Sequence, residues 1–331
     1  MAHRVPGIGR AFLGGIFLLL LAGGTARAQV ADSGAVDPCA SYTGAGGRVC
    51  QAASDVGLLL HPTLGLLMSG GNPVLGTASA MGRFGAVLTV GRATVVHAVL
   101  PDPGYDGAAD TVAAAESGPG YAPRLDLSLG ILSKTLTAGT VTADLLGSVV
   151  LIPTTGTDRL QVEKPARSVG DVALGFGFGL RIGFRGEGSL PEASLTIMKR
   201  DLPRLRYGSL AAGDSYTNAL RASAINVRLL VGKRFSVFNI SGGAGVDLYG
   251  GDAQVTFRDP ATGTVQPTFV QPLSTMRIIT VLSGGIELPI LRIGGEVGFQ
   301  VGKDDGVVTN FRRIDPAAGK FFGGFGIGLR F

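Results

Sequence analysis

Three histidines, two cysteines and a scattered set of charges are the groups with which this 331-residue chain could do chemistry. His97 is the one candidate general base. His3 lies in a leader-like stretch and His61 directly precedes a proline. A Ser–His–acid site needs a hydroxyl and a carboxylate within hydrogen-bond reach of the imidazole, and no local sequence around His97 supplies them. The reading is therefore "not an enzyme", with a hydrolase using His97 as its alternative. The glycine runs at 175–179 and 242–245 invite a phosphate-loop reading. Neither turns from a strand into a helix, so they read as glycines that make room for bulky neighbours. No spacing of His, Cys and carboxylates suits a metal, and no cofactor is expected. Cys39 and Cys50 are expected to form a disulfide, as suits an oxidising compartment.

The charges carry more information. Asp171, Arg181, Arg185, Glu192, Arg228, Arg277, Glu287, Arg292 and Glu296 fall on one parity of alternating segments, as do Asp126, Asp144, Asp247 and Arg330. Both signs occur. They fit either a salt-bridged filling of a narrow interior, since buried charges must be paired, or a selectivity lining for a polar or anionic solute.

The elements that must position these residues are strands. From Val172 to Arg185, Val172, Leu174, Phe176, Phe178, Leu180, Ile182 and Phe184 share one parity, while glycines and charges share the other. Residues 291–302 and 320–331 repeat the pattern. A long, unbroken, Phe-rich row opposite a row of Gly and isolated charges fits a wall with hydrocarbon outside and a polar lumen inside. Ten segments qualify, at 83–99, 122–134, 139–152, 170–185, 189–199, 222–233, 235–249, 275–288, 290–302 and 320–331. The first slips its frame near Gly91, which predicts a bulge. Connections after even-numbered strands are short and those after odd-numbered strands are long. An up-and-down barrel with tight turns at one rim and long loops at the other has that rhythm. The fold class is thus all-β: a closed antiparallel transmembrane β-barrel of about ten strands (twelve or more being the alternative), with a short, partly helical N-terminal segment. Trp is absent. Interfacial girdles are therefore expected from Tyr105, Tyr121, Tyr207 and Tyr249.

The C-terminal run from Phe321 to Phe331 ends on an aromatic that completes the alternation with Leu329 and Ile327. It resembles the terminal insertion signal of bacterial outer-membrane β-barrel proteins. That resemblance implies the barrel assembly machinery and outer-membrane lipid as partners and places Phe331, Leu329 and Ile327 in the signal. The other end agrees. Arg4 and Arg10 precede an apolar run of about 14 residues, short of the roughly 20 needed to span a bilayer, and Ala26-Arg27-Ala28 follows. Residues 1–28 read as a signal peptide cleaved near Ala28, exporting the chain to the outer membrane of a Gram-negative-type bacterium. The leader holds three of the 29 basic residues and none of the 24 acidic ones. The remaining balance of 26 to 24 gives no support to nucleic-acid binding.

Residues 29–82 read as a disulfide-bearing plug or periplasmic cap ahead of a barrel at 83–331. Ala52 to His61 is expected to be a short helix ended by Pro62, with Leu64 to Met68 as another turn. The segment is similar in position to the plug of the fatty-acid transporter barrels. A ten-stranded barrel should have little bore, so it is expected to sit at the mouth unless the strand count is higher. The expected role is a passive channel or uptake protein for small solutes, hydrophobic ones included. The alternative is a non-conducting structural or surface-interaction barrel.

Overall fold

A computed structural model describes residues 37–78, 81, 84–112, 115–154, 160–162, 168–187, 190–302, 309, 311 and 315–331. The leader and its cleavage site lie outside the described residues. Ten long strands run in chain order: β1 (Ala86–Pro101), β2 (Ala115–Leu136), β3 (Gly139–Pro153), β4 (Val172–Gly186), β5 (Glu192–Asp201), β6 (Tyr216–Phe235), β7 (Phe238–Phe257), β8 (Phe269–Glu287), β9 (Leu291–Gly302) and β10 (Lys320–Arg330). Each pairs antiparallel with its sequence neighbour. β10 then closes on β1, from Val87↔Arg330 to Val96↔Phe322. The result is a closed ten-stranded barrel, which removes every long sheet edge. Residues 252–257 lengthen the β6–β7 hairpin and add no strand.

The alternation sorts side chains by face. Phe178 is 67% exposed and Arg181 is 0% exposed, although they share β4. Leu125, Leu127 and Leu129 on β2 and Phe325, Ile327, Leu329 and Phe331 at the C-terminus are exposed, whereas Arg92, Arg124, Arg200, Arg228 and Arg277 are buried. The barrel is apolar outside and charged inside, the reverse of a water-soluble sandwich. Connections 137–138, 187–191, 236–237 and 288–290 are short, and 102–114, 154–171, 202–215, 258–268 and 303–319 are long. One rim is therefore a turn end and the other a loop end.

The predicted bulge is present. Register shifts by one residue against both neighbours between Thr89 and Ala93, and Gly91 has φ +68°. Thr89 faces the interior before the shift, and Arg92, not Gly91, faces it after. The inserted residue thus turns Arg92 inward.

The N-terminal segment departs from expectation. One helix, α1, runs from Gly44 to Ser69, 26 residues and about 39 Å long. Pro62 lies inside it. The helix continues because nearly every residue beyond Val49 is buried, and that tertiary packing outweighs the one lost backbone bond. Its residues meet inward side chains of β1, β2, β6, β7 and β8, so the helix occupies the lumen of a ten-stranded barrel. Neither a mouth position nor extra strands are needed. Two features make room. A Cβ on Gly65 would come within 2.7 Å of the Tyr249 ring, so the missing side chain lets helix and wall touch. Lumen-facing Gly177 and Gly179 of β4 leave space for Arg200 and Met198 of β5. The girdle expectation also needs correction: Tyr207 and Tyr249 are buried in the interior, and only Tyr121 stands exposed on the outer face.

Candidate functional site

The interior converges on the C-terminal end of α1. A helix leaves its last carbonyls without intrahelical partners, and its dipole makes that end partly negative. Here Gly70 takes a positive φ of +59° and donates its N–H back to Leu66 O at 2.9 Å, turning the chain. Arginines from three strands meet the carbonyls that remain. Arg124 donates to Met68 O at 3.2 Å and Ser69 O at 2.9 Å. Arg228 donates to Gly70 O and Gly71 O, both at 3.2 Å. Arg92 donates to Asn72 O at 2.6 Å and Pro73 O at 3.1 Å. Further on, Arg181 donates to Thr77 O at 2.9 Å.

Carboxylates complete the cradle. Glu296 accepts from Asn72 N at 2.7 Å, Gly71 N at 3.3 Å and Arg92 at 2.8 Å. Asp126 bridges Arg92 and Arg124, each at 3.0 Å. Asp247 pairs with Arg228 at 2.7 Å. It also accepts from Asn226 and Gln300, both at 2.6 Å, and from the Tyr249 hydroxyl at 3.0 Å. Asn226 in turn donates to Ser69 Oγ at 2.9 Å. Asp144 accepts from Met81 N at 3.0 Å, and Ser283 Oγ accepts from Gly76 N at 2.9 Å. A crevice beside Pro73 and Val74, lined by Thr89, Asp126 and Ser128, has room for about one water.

The charges expected to line the interior therefore have different partners. Arg181, Arg228 and Glu296 hold the peptide that follows the helix. Arg277 donates to Pro316 O at 2.8 Å and Ala318 O at 2.6 Å, drawing the last long loop inward. Glu287 sits at the turn end among Arg330 at 2.5 Å, Arg234 at 2.7 Å and Arg292 at 3.0 Å. Arg185 lies 4.0 Å from Glu192 near the same rim. Asp171 is a correction: it is exposed, lies just outside β4 and accepts from Thr154 N through its backbone carbonyl, so it lines nothing. His97 is exposed on the outer face of β1, away from the interior charges, so no lumen site can use it.

Sequence reasoning missed Arg92, Arg124 and Arg200. Arg92 follows the bulge, where parity changes. Arg124 shares the parity of Asp126 and was legible on that ground. Arg200 lies beyond the strand end expected at residue 199. The uncharged members Asn226, Ser283 and Gln300 also sit on inward parity, but nothing in their type marks a partner.

The loop end is built differently. The Cys39–Cys50 disulfide has a Cα–Cα distance of 5.6 Å and lies in an apolar cluster with Val49, Tyr207, Tyr216, Phe257 and Phe311. Tyr42 meets Phe257 edge-on with centroids 4.9 Å apart. Tyr207 and Tyr216 donate to the carbonyls of Pro101 and Asp102 at 2.6 and 3.0 Å. Above them, Arg48, Tyr105 and Asp110 form an exposed cluster. Hydrogen bonds from Tyr105, then from Arg48, hold the Asp110 carboxyl below its ordinary range.

No family model and no curated protein sequence matches the chain. Similar solved structures are the translocator domain of the autotransporter NalP from Neisseria meningitidis, the outer membrane protease OmpT from Escherichia coli and the outer membrane protein OprG from Pseudomonas aeruginosa. The first is 13% identical with a TM-score of 0.34, covering 76% of this chain and 89% of that one. The second is 7% identical with a TM-score of 0.36, covering 77% and 98%. The third is 9% identical with a TM-score of 0.25, covering 76% and 98%. At these identities and TM-scores the likeness goes no further than the barrel fold, which the strand pairing establishes by itself.

Proposed function

We propose that this chain is an outer-membrane barrel closed by its own N-terminal segment, a non-conducting protein that acts at its loop-end surface. The outward apolar rows and the inward charges support the membrane placement, with Phe331, Leu329 and Ile327 in the insertion signal read by the barrel assembly machinery. Residues 1–28 are the export signal in this reading. One observation carries closure: Arg92, Arg124, Arg228 and Glu296 bond to the backbone of residues 68–73. Groups so engaged are not available to strip the hydration shell from a passing solute.

Uptake of a small solute is the second reading. It is favoured by the outer half of α1, whose wall contacts are mainly apolar, and it requires that helix to move. Single-channel recording of the refolded full chain in planar bilayers tests the choice. No steps are expected. Regular, solute-blockable steps from the full-length protein would overturn the closed reading and favour uptake.

A further inference from the structure

We infer that the N-terminal end of the plug lies at the cell exterior, so that the Cys39–Cys50 knob is a surface-displayed element and the chain runs from it inward through the lumen to β1. This rests on the outer-membrane reading above and goes further, because that reading leaves the direction of the plug open.

The direction follows from ordered contacts. β7 runs from the turn end at Phe238 to the loop end at Phe257. Helix residues meet it in reverse order: Gly65 lies against Tyr249, Gly57 against Ala253, and Gly46 against Asp259 just beyond the strand. The N-terminal end of α1 is therefore at the loop end. The opposite end of the segment descends in the same sense. Asn72 is at the level of Glu296, Ala78 lies against Gly232 of β6, and Met81 N reaches Asp144. Phe84 then donates its N–H to Gly130 O, and Ala86 pairs with Phe331 at the rim where the barrel closes. The described residues from Cys39 to Phe84 thus cross the whole wall height once before β1 begins. In outer-membrane barrels the short turns face the periplasm and the long loops face outward. A chain delivered to the periplasm must therefore have carried its knob across the membrane by the time the barrel had closed around the plug. On the exterior the knob exposes Ala40, Ser41, Thr43 and Gly44, while Tyr42, Cys39 and Cys50 seat it on the loop-end apolar cluster.

The experiment places a short recognition sequence for a specific protease between Ala40 and Ser41, inside the disulfide loop, and adds the protease to intact cells. Two control chains carry the same sequence next to Ala261, at a long-loop tip, or next to Val237, in a short turn. The knob and the loop are expected to be cut to a similar extent and the turn to be spared. Knob cleavage should release a fragment on a gel only after reduction, because Cys39 and Cys50 hold the cut ends together. A cut loop with an uncut knob, where lysis then allows the knob to be cut, overturns the inference and leaves the barrel reading intact. A cut turn with a spared loop overturns the membrane orientation itself. If the insertion prevents folding, Ser41→Cys in a Cys39→Ser, Cys50→Ser chain replaces it. Labelling by a membrane-impermeant maleimide is compared with Ala261→Cys and Val237→Cys in the same background. An unlabelled Ser41→Cys beside a labelled Ala261→Cys likewise overturns the inference.

Discussion

The two ends of the plug are held by opposite physics. Its outer half touches the wall through apolar surface: Val49, Val56, Leu59 and Leu60 beside Tyr207, Phe257 and Leu273. Across that half the Asn218 side chain reaches Ala53 O at 2.8 Å, and the disulfide ties the knob to the helix. Its inner half is held through charge, with guanidinium and carboxylate groups bonded to backbone from Met68 to Thr77. Apolar contact is non-directional and tolerates sliding. Buried charge–peptide contacts fix one register and penalise any other, because a displaced partner leaves a desolvated charge behind. The outer half therefore supplies affinity and the inner half supplies position.

This contrast can be broken from either side. The largest effect is expected at the inner end. Arg92→Ala leaves buried Glu296 without its ion-pair partner and Asp126 with Arg124 alone, and should lower unfolding free energy by about 3–5 kcal/mol, the range for removing one partner of a buried pair. Loss of heat-modifiable migration at lower temperature measures it, and an unchanged transition would mean that the cradle is not what fixes the plug. Next, Cys39→Ser with Cys50→Ser opens a loop with a sequence separation of 11 residues. It should cost about 3 kcal/mol by chain-entropy reasoning. Hydrogen exchange should rise in residues 44–56 and stay low in residues 66–72; a uniform rise would erase the distinction between the halves. A smaller loss, about 1–3 kcal/mol, is expected from Gly65→Leu, which overfills the contact with Tyr249. Bilayer recording of that variant sharpens the comparison: intermittent current would mean that the outer half can be lifted while the cradle holds.

The smallest effect lies at the surface. The Asp110 carboxyl is held below its ordinary range, so the Arg48–Tyr105–Asp110 cluster steadies the loop above that range. The contribution fades as pH falls through the depressed value. Exchange protection of residues 105–112 should drop between neutral and acid pH, and Asp110→Asn should remove that dependence. A loop equally protected at both pH values would rule out the cluster as a clasp.

Much of the wall was legible because a strand in two solvents writes its orientation into every second residue. The ten segments, the short–long rhythm and the slip at Gly91 all follow from that period of two. The interior was less legible for a physical reason. Parity says that Arg228 and Glu296 point inward, but not whether a solute, another side chain or a peptide waits there. α1 carries few polar residues to advertise a fit, because its partners are its carbonyls, which every residue has. Local propensity ends the helix at Pro62, since it cannot register that lumen packing overrides one missing bond. Tyr249 looked like a girdle residue by composition. Its parity with Asp247 instead sends its ring to Gly65 and its hydroxyl to a carboxylate.

The meeting of Arg92, Arg124 and Arg228 with the carbonyls that follow α1 has a consequence for how the molecule can come into being. Those guanidiniums find in residues 68–73 the ligands that water would otherwise provide, so a sealed but empty cylinder would leave many of the donors of its buried ion pairs without acceptors. Wall and plug each supply what the other lacks. Assembly must then bring them together before the last seam, between Val87 and Arg330, is zipped shut.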